Sequence, residues 1–135
     1  MRLVVDANVL FSFFKKDSVT RKLITSPKLL LFAPAFSLRE LDKHKEEVIA
    51  RAKISPDEYE PSKKVLRKFV EFIPLEEYEE KLTLAKETSP DPKDIRYFAL
   101  ALWLDIPLWT NEKRLKKQDK VLVFSTSELL KMKLL

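Results

Sequence analysis

Neither glycine nor cysteine occurs in this chain of 135 residues. Without cysteine there is no disulfide framework, no thiolate nucleophile and no cysteine-held zinc, a composition that fits a reducing cytoplasm. Without glycine there is no phosphate-cradling glycine loop and no dinucleotide fingerprint. Turns must be made by Asn, Asp, Ser and Pro, since the residue that enters left-handed backbone most cheaply is missing. Histidine occurs once, at His44, with no distinctive catalytic spacing around it; a surface or helix-packing role is expected. Long apolar runs are also missing. The first one meets Asp6 after Leu3 to Val5, and no later one nears the roughly 18 apolar residues of a membrane span. Neither a visible export signal nor membrane integration is expected.

What is present is charge: 26 Lys and Arg against 21 Asp and Glu, for a net charge of +5 and 35% charged residues. A balance of this kind attracts nucleic acid only where the basic side chains share a surface, and it is equally the composition of a charge-rich thermophile surface. The length suits one domain over residues 1–135, able to enclose a shared core.

Along the chain, Leu3 to Val5 reads as a buried parallel strand ending on Asp6. Helical material follows around Phe11, Phe14 and Leu23, broken near Lys16 and Asp17, and Leu29 to Ala33 is a second strand stopped by Pro34. Strand, helical crossover and strand suggest a βαβ arrangement. Glu40 to Lys53 is expected as one helix, Ser62 to Phe69 as another, Glu71 to Ile73 as a third strand and Glu76 to Lys86 as a helix. The run Ser89-Pro90-Asp91-Pro92-Lys93-Asp94 punctuates strongly, with Pro92 suited to a first helical turn after Asp91. The helix it starts should reach about Asp105. Ile106 to Trp109 and Val121 to Phe124 complete five strands, with a short basic helix over Lys113 to Lys117 between them and a terminal helix from Ser127. The alternation predicts a mainly parallel sheet flanked by helices.

Open sheets of this type place ligands beyond the carboxyl ends of their strands. Asp6 follows the first strand and Glu112 follows the fourth through Thr110 and Asn111, while Glu40 and Asp94 are expected near helix starts at the same end. Gathering like charges is unfavourable unless a cation or proton offsets it. Mg²⁺ or Mn²⁺ is the natural offset for scattered oxygen ligands; Ca²⁺ in an EF-hand is excluded by spacing and by the missing glycine. Each acid also has a local explanation: Asp6 as a helix cap, Asp94 facing a helix dipole, Glu40 and Glu112 as solvated side chains.

In order, Val4-Val5-Asp6-Ala7-Asn8-Val9-Leu10, Arg39-Glu40-Leu41, Asp91-Pro92-Lys93-Asp94 with Phe98-Ala99-Leu100-Ala101-Leu102, and Leu108-Trp109-Thr110-Asn111-Glu112 resemble the signatures of the PIN-domain family. The resemblance implies a Rossmann-like PIN fold and a metal-dependent nuclease acting on RNA. It maps the family's three central acids onto Asp6, Glu40 and Asp94 and its fourth onto Glu112, where Asp is common. Glutamate there lengthens the arm by one methylene, so one ion is expected and a second is left open. Asn8 and Thr110 resemble residues that organise the site through hydrogen bonds, and Asp91 is an auxiliary acid. The family also brings a homodimer and an antitoxin into view as partners.

The reaction these residues suggest is hydrolysis of an RNA phosphodiester by metal-activated water. Arg39, Lys113 and Arg114 are the nearest basic candidates for contacting RNA phosphates. Two alternatives stand beside this reading: a catalytically silent PIN-like module for RNA binding or oligomerisation, and a metal-dependent phosphomonoesterase.

Overall fold

The computed structural model describes residues 1–135. Five strands, β1 (Arg2–Val5), β2 (Leu30–Pro34), β3 (Val70–Ile73), β4 (Leu108–Trp109) and β5 (Val123–Phe124), form one sheet in the order β3-β2-β1-β4-β5. Every pairing is parallel, so the sheet is wholly parallel where the sequence predicts a mainly parallel one. Nine α-helices surround it: α1 (Ala7–Ser12), α2 (Val19–Ile24), α3 (Phe36–Lys43), α4 (Lys45–Ala52), α5 (Tyr59–Phe69), α6 (Leu75–Tyr78), α7 (Leu82–Thr88), α8 (Ile95–Leu104) and α9 (Thr126–Lys131).

The period-two alternation of strand side chains divides the core in two. Leu3 and Val5 of β1, Leu31 and Ala33 of β2 and Trp109 of β4 face a cluster built with Val9, Leu10, Phe13, Phe14, Leu23, Leu41, Tyr59 and Leu66. Val4 and Leu108 face the opposite cluster, made chiefly by Tyr97 to Ala101 of α8 with Tyr78, Ala85 and Leu115. Both faces of the central strand are therefore sealed, which is why Leu3-Val4-Val5 is a continuous apolar run rather than an alternating one. Trp109 is fully buried, and its indole N–H donates to the Thr126 hydroxyl at 3.0 Å, which ties β4 to the first residue of α9.

The helices differ from those expected at several places. Residues 40–53 are not one helix: α3 begins at Phe36, ends at Lys43 and gives way to α4 after His44, whose backbone (φ −104°, ψ 22°) leaves the helical region. Glu40 consequently lies inside α3 rather than at a helix start. Residues 76–86 likewise divide into α6, a 3₁₀ turn over Glu79–Lys81 and α7. Pro34 ends inside β2 rather than stopping it, because its missing N–H is tolerated at a strand terminus. Lys113–Lys116 is a 3₁₀ turn, and the last strand is shorter than expected.

The glycine-free turns have a visible consequence. Lys53, Asp105 and Lys133 adopt left-handed backbone at φ 56°, 56° and 59°. Lys53 and Asp105 are the residues that terminate α4 and α8. Two of these three positions fall on lysine, not on the Asn, Asp or Ser expected to make the turns.

Candidate active site

The strand order reverses direction at β1: the chain passes from β1 to β2 on one side, while β4 docks on the other, with Val5 opposite Trp109. At such a switch point the two loops leave the sheet in opposite directions and open a crevice. Asp6 and Thr110 sit side by side there, the Asp6 N–H donating to the Trp109 carbonyl at 3.2 Å and the Thr110 N–H to that of Phe124 at 3.0 Å. A cleft of about 660 Å³ opens over them.

Asp6 is only 3% exposed. It caps α1, its Oδ1 accepting the Val9 N–H at 2.9 Å. Burial pushes its carboxyl up to about 6, against hydrogen bonds from the Thr110 hydroxyl and the Val9 N–H, and Glu112 raises it further. The side chain that caps α1 thus also lines the cleft. Thr110 is buried as well, and its Oγ1 accepts the Glu112 N–H at 3.1 Å. That hydroxyl links the first acid of the site to the backbone carrying the fourth.

Asp91 and Asp94 come from the Pro-punctuated loop. Asp91 caps a 3₁₀ turn over Pro92–Asp94, its Oδ1 accepting the Lys93 N–H at 2.9 Å. The turn leads directly into α8 and leaves Asp94 half-buried at its start, with no side-chain capping bond of its own. The Asp94 carboxyl is pushed up to about 6, first by burial, then by Asp6 and Asp91; Arg114 opposes the rise. Glu40 reaches the cleft from α3, with His44 Nε2 3.9 Å from its Oε2. Glu112 carries a 3.2 Å contact from Arg114 Nε, and Arg114 Nη2 also bonds Asp91 Oδ2. Tyr97 of α8 forms part of the wall, held by a 2.7 Å hydrogen bond with Ser37 of α3.

Asp6, Asn8, Glu40, Asp91, Asp94, Glu112 and Arg114 all line this cleft, and Thr110 lies beneath it through Asp6 and Glu112. Arg39 and Lys113 do not line it. Their sequence neighbours Glu40 and Glu112 face inward, and adjacent residues on a helical turn point in different directions. In their place the cleft gathers Lys43, His44, Glu47, Arg51 and Lys93, none of which was singled out for the site by the sequence. A signal for most of them existed. Glu40, Lys43, His44, Glu47 and Arg51 recur at helical spacing on one face, and that face continues across the break at His44. His44 is thus a wall residue between Glu40 and Glu47, 3.7 Å from the latter's Oε2.

The donor set suits a hard divalent cation. Every carboxylate is an oxygen ligand, and two of them are made reluctant to ionise by burial and by one another, a cost that a cation would relieve. As they stand, no three of the acidic and imidazole side chains are drawn together closely enough to hold an ion. Glu40 and Glu112 have side chains 34% and 47% exposed.

A second cleft of about 300 Å³ lies alongside between α1, α2 and α4, sharing Asn8, Phe11, Glu47 and Arg51. It contains a single carboxylate, Glu47, and cannot offer the same chemistry. No helix is long and apolar enough to cross a membrane.

The family model described as PIN domain matches residues 4–126. No curated protein sequence matches the chain. Among solved structures, the crystal structure of VapBC2 from Rickettsia felis bound to a DNA fragment from their promoter is similar, with a TM-score of 0.64. That likeness covers 93% of this chain and 98% of the other at 14% identity. At this identity the correspondence is one of fold: an α/β domain with a five-stranded parallel sheet flanked by helices.

Proposed function

This chain belongs to the PIN-domain family, and from that premise we propose that it is a Mg²⁺- or Mn²⁺-dependent endoribonuclease of the toxin type. The observation that carries the reading is the meeting of Asp6, Glu40, Asp94 and Glu112, drawn from four separate segments, in one cleft at the sheet's switch point. An acidic cleft repels RNA by itself, so a cation is needed for the substrate as well as for the carboxylates.

Asp6, Glu40 and Asp94 would hold the ion, with Glu112 contributing if its longer arm closes or if a second ion enters. When bound, a divalent ion supplies Lewis-acid activation of water and of the phosphate. The protein's own part is positioning. Val9 N–H and the Thr110 hydroxyl fix the Asp6 carboxylate, while Thr110 also sets the backbone from which Glu112 projects. Thr110 has no partnered base and acts as an orienting group, not a nucleophile. Lys43, Arg51 and Lys93 rim the cleft and are the side chains placed to meet the phosphates flanking the reacting one. Asn8 lines the same cleft.

The assembly seen in the structural neighbour, VapBC2 on promoter DNA, supports an antitoxin partner for this chain; a homodimer and a cytoplasmic site of action complete the proposal. One observation favours a catalytically silent RNA-binding module instead: two of the acids already share a cation, Arg114. RNA cleavage with Mg²⁺ and Mn²⁺ titrated separately decides between them. The native chain should cut RNA internally, and Asp6→Asn and Asp94→Asn should each lose at least a hundredfold, as expected when groups that organise a metal site are removed. Binding of an RNA pool without cleavage at any metal concentration would establish the silent module. Release of terminal phosphate alone would establish a phosphomonoesterase.

A further inference from the structure

We propose that Arg114 is a tethered counter-ion that holds Asp91 and Glu112 in the metal-free protein and leaves Glu112 when a divalent ion enters; this rests on the metal-dependent reading above. The guanidinium is forked between carboxylates from two different loops, Nη2 on Asp91 Oδ2 and Nε on Glu112 Oε2 at 3.2 Å. Such a fork supplies geometry as well as charge.

The two ends of this bridge are not equivalent. Asp91 is a buried dock whose other oxygen is already taken by the Lys93 N–H, and its side chain is only 11% exposed. Glu112 is the exposed end, its side chain 47% in contact with solvent. Asp91 therefore serves as the place where Arg114 stays moored, and Glu112 as the ligand it gives up. The backbone beneath is fixed, because Leu115, the next residue, is fully buried. The Arg114 side chain itself is 56% exposed, so no packing encloses it.

Electrostatics gives the exchange its direction. Arg114 counteracts the mutual repulsion of Asp6, Asp91 and Glu112 felt at Asp94, the same office a bound cation would fill. A guanidinium and a divalent ion on one carboxylate repel each other, so occupancy by one weakens binding of the other. Arg114 is thus a positioning residue: in the metal-free protein it keeps the carboxylates from splaying apart under their mutual repulsion, and it sets a threshold for ion entry. A guanidinium released from Glu112 would remain in the cleft, moored at Asp91.

The test is Mn²⁺ binding to the full chain, measured by calorimetry and by the electron paramagnetic resonance signal of free Mn²⁺. Arg114→Gln should bind about tenfold more tightly than the native protein, a difference of about 1.4 kcal/mol. Arg114→Lys, which keeps the charge, should stay close to native, and Lys113→Gln, in the same turn but outside the cleft, should be unchanged. Adding Glu112→Gln to Arg114→Gln should abolish the gain. Equal or weaker Mn²⁺ binding by a folded Arg114→Gln overturns the counter-ion role and leaves the metal site standing. Absence of Mn²⁺ binding by every variant at millimolar metal overturns both.

Discussion

Replacing Asp6 by Asn should stabilise the metal-free protein. Burial holds the Asp6 carboxyl near 6 rather than its ordinary 3.8, about two units, and each unit is worth about 1.4 kcal/mol between the two protonation states. The ionised side chain therefore costs the fold up to about 3 kcal/mol near neutral pH. The sign follows from linkage. Between about pH 4 and 6 the folded state binds the proton that the unfolded chain has released, so native stability falls as pH rises through that window. The penalty is absent below it and complete above it. Asn keeps an oxygen for the Val9 N–H and an amide for the Thr110 hydroxyl, while removing the charge. Urea unfolding in chelator should show Asp6→Asn more stable than native by roughly 1–3 kcal/mol at about pH 7.5, the lower figure allowing for local relaxation. At about pH 4 the two proteins should nearly coincide. A pH-independent difference, or a less stable variant near neutrality, would refute the claim that Asp6 is a strained carboxylate awaiting a cation.

Other outcomes follow from the same geometry. Mn²⁺ should raise the melting temperature more at about pH 7.5 than at pH 5, because Asp6 and Asp94, both near 6, must shed protons before binding; an equal rise at both would contradict it. Lys53→Gly relieves a left-handed lysine and should stabilise by up to about 1 kcal/mol in chemical denaturation, less the added freedom of the unfolded chain. Tyr97→Phe, which leaves Ser37 without its buried partner, should cost about 1–2 kcal/mol by the same measurement.

The sheet was readable because its central strand is buried on both faces, so Leu3 to Val5 announces itself as an apolar run, and Leu29 to Ala33 is as apolar although Leu30 is exposed. The acid that follows the first strand was readable for the same reason: the strand's end fixes where Asp6 must emerge. The helical side was harder. Glu40 to Lys53 keeps helical spacing throughout, and nothing in its composition marks the break at His44, where the backbone leaves the helical region. Arg39 and Lys113 looked suitable by proximity in sequence, yet a helical or 3₁₀ turn carries neighbouring residues away from each other. Lys43, Glu47 and Arg51, more distant in sequence from Glu40, share its face. The Arg114 bridge joins loops 23 residues apart, and no local pattern could reveal which carboxylate it would choose.

A crystal of the protein grown with Mn²⁺ and recorded at the manganese edge tests most directly whether acids from separate segments hold a divalent ion. The expected result is an anomalous peak in the cleft, bonded to Asp6 and Asp94 with Glu40 swung inward, and Arg114 detached from Glu112. A folded protein with no peak there at saturating Mn²⁺, or with Mn²⁺ only on outlying acids, would contradict it.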